Sequence, residues 1–311
     1  MENKIIEVKN LSKRFKSLWA VNNLNINVFK GDIFGFLGPN GAGKSTTIRM
    51  LLTLIYPTTG SIKIFDKDLL KHRIKILKKV GAIVEKPDLY GYLSAYKNLE
   101  ILAKISRYDI SNKRIMEILD IVGLKERATS KVKTFSSGMK QRLGIAQALI
   151  HDPELIILDE PTTGLDPHGM KEIRELILSL RNDFGKTIFL SSHLLFEVEA
   201  IANRMIIINK GKTVIEGSVE ELLRPKELEV SFTVNDTEKA RNIANEVNLQ
   251  VLSDTNNMNN ENSQVIKIKI QKEKIPVLNK KFVENGIDVY SITPSRSLED
   301  YFLSLTDGGA K

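Results

Sequence analysis

The apolar positions of this chain change period several times, and each change predicts an element. Residues 4–29 carry short alternating stretches, Ile5 and Val8 and then Leu24, Ile26 and Val28, which predict edge or hairpin strands. The unbroken apolar run from Ile33 to Leu37 predicts a buried strand, and beyond a glycine-rich turn the pattern from Lys44 to Leu54 predicts a helix. Leu155 to Leu158 and Thr187 to Leu190 are further buried-strand runs, each followed by a helical segment, so parallel β/α units form the expected core. Between them, residues 90–150 read as mostly helical, with Leu99, Leu102 and Ala103, then Ile115, Ile118, Leu119 and Val122, at helical spacing.

Met205 to Ile208 and Thr213 to Ile215 predict a strand pair around the Lys210-Gly211 turn. Ser218 and Glu221 then make a capping-box pattern for a short helix ending near Arg224-Pro225. A domain boundary is expected there, giving residues 1–224 and 225–311. In the second part Val230, Phe232 and Val234 alternate, as do Ile266, Ile268 and Ile270, and an apolar helical pattern follows each strand. A small α+β domain is the expectation, with the Asn-rich stretch from Asp254 to Ser263 as a solvated loop.

Composition narrows the function classes. With 311 residues, 42% hydrophobic and 27% charged, the chain has an ordinary globular balance and can bury a core without staples. It has no cysteine, which excludes disulfides, thiol catalysis and Cys-ligated zinc and suits a reducing compartment. No run approaches the roughly 18 apolar residues of a membrane span, and the N-terminus lacks a signal-peptide pattern. The net charge of +8 is spread among acidic residues, which reads as a solvated surface, so no nucleic-acid partner is expected.

Gly38-Pro39-Asn40-Gly41-Ala42-Gly43-Lys44-Ser45 fits G-x-x-x-x-G-K-[ST] between a predicted strand and a predicted helix. Glycines let backbone N–H groups turn toward phosphate oxygens, Lys44 reaches the β- and γ-phosphates, and the Ser45 hydroxyl ligates Mg²⁺. Thr46 follows at the same helix start. The strand Leu155 to Leu158 runs into Asp159-Glu160. A single acid at a strand end is often a cap or a solvated terminus. Two adjacent acids behind a phosphate loop suggest Asp159 toward Mg²⁺ and Glu160 toward the attacking water.

Three further segments give a resemblance to ABC-type ATPases. Phe135-Ser136-Ser137-Gly138-Met139-Lys140-Gln141-Arg142 resembles the family signature, a variant of L-S-G-G-Q. Gly164-Leu165-Asp166 resembles its D-loop, and Ser191-Ser192-His193 its switch histidine. Alone, Ser136 reads as an N-cap and His193 as a surface residue; order and spacing carry the likeness, over residues 4–220. It implies a nucleotide-triphosphatase core with an antiparallel β subdomain and a helical subdomain, at residues 86–150, followed by the small α+β domain.

It further implies ATP and Mg²⁺ as cofactors. Two copies of the chain would face head to tail, with Ser136 and Gly138 of one on the γ-phosphate held by the other. His193 would help hold the water and Asp166 would couple the sites. In the family pattern L-x-K-x-aromatic, here Leu11 to Phe15, Phe15 is the expected adenine-stacking residue, with Trp19 as the alternative.

The strand-end glutamine of most family members is here Glu85, after Gly81-Ala82-Ile83-Val84. A carboxylate can ligate Mg²⁺ but adds negative charge beside the phosphates. With the signature variant and the ending Leu298 to Leu303, this resembles ATPase subunits of bacterial exporters for self-protection against lantibiotics and bacitracin-like peptides. That resemblance implies integral membrane permease subunits as partners and a peripheral position on the cytoplasmic face of the membrane. A soluble ABC-type ATPase acting on ribosomes or DNA is the alternative. Against it, the chain has one phosphate loop and one signature, with no long coiled-coil pattern between them.

Overall fold

The computed structural model describes residues 3–85, 87–106, 110–223, 228–256 and 264–294. The chain forms two compact units, Met1–Val219 and Glu220–Lys311. The division falls at the start of a short helix whose end the sequence reading took as the boundary. The first unit runs β1 (Lys4–Phe15), β2 (Leu18–Phe29), β3 (Ile33–Leu37), α1 (Lys44–Leu51), β4 (Thr59–Ile64), β5 (Lys67–Asp68), α2 (Arg73–Leu77), β6 (Val80–Ile83) and α3 (Ala95–Ile105). It continues through α4 (Asn112–Ile121), α5 (Ser137–Leu149), β7 (Leu155–Asp159), α6 (Pro167–Asn182), β8 (Thr187–Ser192), α7 (Leu195–Glu199), β9 (Arg204–Asn209) and β10 (Lys212–Ser218).

Six strands make the central sheet in the order β10-β9-β3-β8-β7-β6, parallel except for the β9–β10 hairpin. Every residue of β3, β7 and β8 is buried, as strands covered on both faces require. Phe34, Phe36 and Phe189 meet there with ring centroids 5.7 and 5.3 Å apart; burying each contributes about 1.5–3 kcal/mol. The register pairs Leu37 with Ser192 and Asp159 with Ser191, so three strands end side by side. That carboxyl-end edge is where open α/β sheets build ligand crevices.

A second, antiparallel sheet, β2-β1-β4-β5, contains the expected hairpin and pairs Arg14 with Trp19 and Phe15 with Leu18 at its tip. The region from α3 to α5 is helical as read. Ser94 and Ser111 cap α3 and α4 by accepting from the Lys97 and Arg114 amides, and Leu99, Ala103, Ile115, Ile118 and Leu119 are buried.

The first helix is shorter than its pattern. It stops at Leu51, and Thr53 turns back with φ +56°, its hydroxyl accepting from Arg73 Nε at 2.6 Å. The strand before Glu85 ends at Ile83, and Glu85 itself has φ +64°.

The second unit begins in α8 (Val219–Leu223) and runs β11 (Leu228–Val234), α9 (Thr237–Glu246), β12 (Gln250–Asn256), β13 (Gln264–Ile270), α10 (Ile275–Glu284) and β14 (Val289–Pro294). The sheet order β12-β13-β11-β14, all antiparallel, with a helix after β11 and after β13, is the split β-α-β arrangement. Val230, Phe232, Ile266, Ile268 and Ile270 share its core with Leu278 and Phe282. The solvated loop expected from Asp254 starts later, because Asp254, Thr255 and Asn256 pair with β13. Its remainder at 257–263, the helix end at Arg224-Pro225 and the segment from Leu298 to Leu303 lie outside the described residues. Among the described residues no helix is long and apolar enough to cross a membrane.

Candidate functional site

The loop from Gly38 to Ser45 leaves β3 and enters α1 through left-handed glycines, Gly41 at φ +80° and Gly43 at φ +106°. A side chain at Gly43 would put its Cβ 2.4 Å from the Ala20 carbonyl oxygen, so only glycine fits. Gly38 N–H donates to Ser192 O at 3.3 Å, Ala42 N–H to Pro39 O at 3.1 Å and Gly211 N–H to Ala42 O at 2.9 Å. These bonds tie the loop to β8 and to the β9–β10 turn. Helix α1 carries no side-chain N-cap and no acid in its first turn, so its free N–H groups and dipole favour an anion.

Lys44 is 5% exposed. Its ammonium donates to Gly38 O at 2.7 Å and Pro39 O at 3.3 Å and stands 3.2 Å from Glu160 Oε1. An ammonium has three donors, and these contacts use them.

Glu160 sits one residue past β7 with φ +47°. Its Oε2 accepts from Thr163 Oγ1 at 2.9 Å and lies 3.1 Å from His193 Nδ1. Burial would raise its pKa, but the Thr163 hydrogen bond, Lys44 and His193 outweigh it and hold the carboxyl below the usual carboxylate range. Glu160 is therefore ionised at neutral pH, as a group that accepts a proton must be. Asp159 is buried and accepts from Ser191 Oγ at 2.6 Å.

Two adjoining clefts flank this centre. One, of about 470 Å³, is lined by Phe15, Leu18, Trp19 and Ala20 on one side and by Asn40, Gly41, Gly43, Lys44, Ser45, Thr46, Glu160 and Lys210 on the other. Phe15 and Trp19 are 46% and 41% exposed, so neither is spent on the core. Lys13 lies 5.0 Å from the centroid of Phe15 and Arg14 5.5 Å from that of Trp19. The structure brings both candidate aromatics to the same wall. The other cleft is lined by Ser45, Glu85, Gln141, Asp159, Glu160 and Thr163.

The side chains lining that second cleft end in oxygens and one amide, a donor set a hard cation can use. Glu85 lines it with its side chain 67% exposed and paired to Arg49. Among the described residues no three carboxylates or imidazoles converge tightly enough to hold a metal alone.

Ser136, Gly138 and Asp166 line neither cleft. Ser136 is the exposed N-cap of α5 and accepts from the Met139 amide at 3.2 Å. Asp166 caps α6 through the Gly169 amide at 2.9 Å. The two helix starts meet at Gly138 and Gly169, a Cβ on Gly138 lying 3.6 Å from Gly169 Cα, in ordinary contact. Sequence reasoning missed Leu18, Ala20, Thr163, Gln141 and Lys210. Lys210 was read only as a turn residue, and its place over the phosphate loop depends on the Gly211 bond to Ala42.

The sequence profile of the ABC transporter family matches residues 21–163. The bacitracin transport ATP-binding protein BcrA of Bacillus licheniformis is 47% identical over 306 residues, covering 98% of each chain. The chain belongs to the ABC transporter family. It is an ATP-binding and ATP-hydrolysing cassette of that family. The lantibiotic transport ATP-binding protein SrtF of Streptococcus pyogenes is 44% identical over 212 residues, 68% of this chain and 90% of that one. Among solved structures, a dimeric post-hydrolysis state of the ATP-binding cassette MJ0796, bound to ADP and Pi, matches with a TM-score of 0.61 at 28% identity. The match covers 69% of this chain and 98% of that one. The family profile lies within the first unit, and the sequence match to the bacitracin protein runs through both units.

Proposed function

We propose that this chain powers an exporter that removes bacitracin- or lantibiotic-like antimicrobial peptides, acting as a pair of identical copies against membrane permease subunits on the cytoplasmic face of the membrane. The observation that carries the catalytic part is the convergence of Lys44 and Glu160 at 3.2 Å, beside the Ser45 hydroxyl and Asp159. The cargo reading rests on the full-length likeness to the bacitracin protein.

In this reading the phosphate loop wraps the β- and γ-phosphates with backbone N–H groups, and Lys44 transfers its third contact from Glu160 to a phosphate oxygen. Glu160, so released, accepts a proton from the attacking water, with His193 orienting it; Phe15 or Trp19 stacks on the adenine. Ser45, Asp159 and Glu85 would hold Mg²⁺, which neutralises charge developing on the transferred phosphoryl group. Ser136 and Gly138, being outside the clefts of their own chain, close the site of the partner copy, and Asp166 links the two sites. Closure drives the permease between states, and hydrolysis lets the pair reopen.

Glu160→Gln keeps the shape but cannot accept the proton. Turnover is expected to fall by about 10²–10⁴-fold with nucleotide affinity retained; turnover within a few-fold of wild type would contradict the assignment. A sensitive bacterium carrying the chain and its permease should tolerate more bacitracin or lantibiotic than the same strain carrying Glu160→Gln. Equal sensitivity of the two strains to both peptide classes would overturn the cargo.

A further inference from the structure

Strand β8 ends in two adjacent serines, and side chains in a strand alternate faces. Both nonetheless are buried, Ser191 at 0% and Ser192 at 2% exposure. Ser192 serves the histidine turn: its hydroxyl donates to Glu197 Oε2 at 2.7 Å and accepts from the Leu194 amide at 3.0 Å. Ser191 serves the acids on the neighbouring strand. Its hydroxyl donates to Asp159 Oδ1 at 2.6 Å and accepts the Glu160 backbone N–H at 2.9 Å.

A hydroxyl has one proton to give. Here it is committed to Asp159, which turns the oxygen's lone pairs toward Glu160. The Glu160 backbone is left-handed at φ +47°, a conformation a non-glycine residue keeps only when its surroundings impose it. The Ser191 bond on its N–H and the Thr163 N–H on its carbonyl, at 3.2 Å, are the two tethers that do so. One oxygen thereby fixes the carboxylate facing Ser45 and the backbone that aims the adjacent carboxylate at Lys44.

We propose that Ser191 is a positioning residue for ATP hydrolysis, its hydroxyl setting Asp159 and Glu160 as one unit. The inference rests on the roles given to those two acids above. It differs from a packing role because the effect must follow the hydroxyl and not the volume.

The test compares the full-length wild-type chain with Ser191→Ala and Ser191→Thr. Three quantities are measured: Mn²⁺ affinity in the presence of a non-hydrolysable ATP analogue, by electron paramagnetic resonance; kcat and KM for ATP; and hydrogen exchange of the Glu160 amide. Ser191→Ala is expected to weaken Mn²⁺ and lower kcat by roughly 10–100-fold each, as loss of a group orienting a metal ligand does. KM for ATP should move little, the Glu160 amide should exchange faster, and Ser191→Thr should restore most of each. Near-wild-type Mn²⁺ affinity and kcat in Ser191→Ala, or equal damage in both variants, overturns it.

If Ser191→Ala does not fold, the wild-type chain still decides: a Glu160 amide that exchanges as fast as an open loop contradicts the bond. Glu160→Gln measured alongside separates the failures. Persistent turnover there defeats the site reading. Loss there without loss in Ser191→Ala defeats only the positioning role.

Discussion

His151 shows how a single half-buried group sets a pH response in this fold. Its Nε2 lies 3.1 Å from the Val80 carbonyl oxygen. Burial pushes the imidazole pKa down, and Lys186 adds to this, against the opposing pull of the Val80 carbonyl and Asp152. In the unfolded chain it titrates near about 6.5. The unfolded state therefore takes up the proton first, so the stability held above that value is lost as pH falls toward the lower folded value. His151→Gln keeps a donor for Val80 without a titrating proton. Between pH 7.5 and 5.5 the wild-type melting temperature should drop more than that of His151→Gln; equal drops would contradict this.

At the same scale, the sequence made residues legible where chemistry repeats in a short string. Gly38 to Ser45 and Asp159-Glu160 are such strings, and the structure brings them together. Ser191 acts through bonds to Asp159 and Glu160 that only strand register brings close, Thr163 bonds Glu160 within one tight turn, and Lys210 reaches the first cleft on a turn docked by Gly211. No local pattern announces them. The choice between Phe15 and Trp19 stayed open for a geometric reason: the hairpin tip presents both rings to one cleft.

At the level of elements, strands β3, β7 and β8 were readable because strands covered on both faces must be apolar throughout. Strand β12, Gln-Val-Leu-Ser-Asp-Thr-Asn, is mostly polar and gives no such signal; pairing with β13 makes it a strand. Helix α1 ends before its apolar pattern does, and just beyond it Thr53 takes a left-handed backbone and accepts from Arg73.

Packing between β3 and α7 gives a sharper test. A Cβ on Gly35 would lie 2.1 Å from Val198 Cγ1, so the helix that follows the His193 turn rests on bare backbone. Gly35→Ala should cost about 1–3 kcal/mol through overpacking, and adding Val198→Ala should recover part of it. Denaturant unfolding of the single and double variants checks this; a double variant no more stable than Gly35→Ala would contradict the contact.

For the whole molecule, the proposal turns on a site divided between two copies. Lys44, Ser45, Asp159, Glu160 and His193 converge at one edge of the central sheet, while Ser136, Gly138 and Asp166 sit at helix starts outside both clefts. A head-to-tail pair of copies is the arrangement that gives both sets a role, since a two-fold interface uses each patch twice. The expectation of a shared site came from the family resemblance and not from residue chemistry, because nothing in a serine at a helix N-cap distinguishes a cap from a phosphate contact.

The most direct measurement is the solution mass of Glu160→Gln with and without Mg-ATP, set beside the same variant also carrying Ser136→Arg. The account predicts that Glu160→Gln becomes a dimer on ATP, whereas the double variant still binds ATP but stays a monomer. A double variant that dimerises equally well, or a Glu160→Gln chain that remains monomeric with ATP bound, would contradict a site shared between two copies.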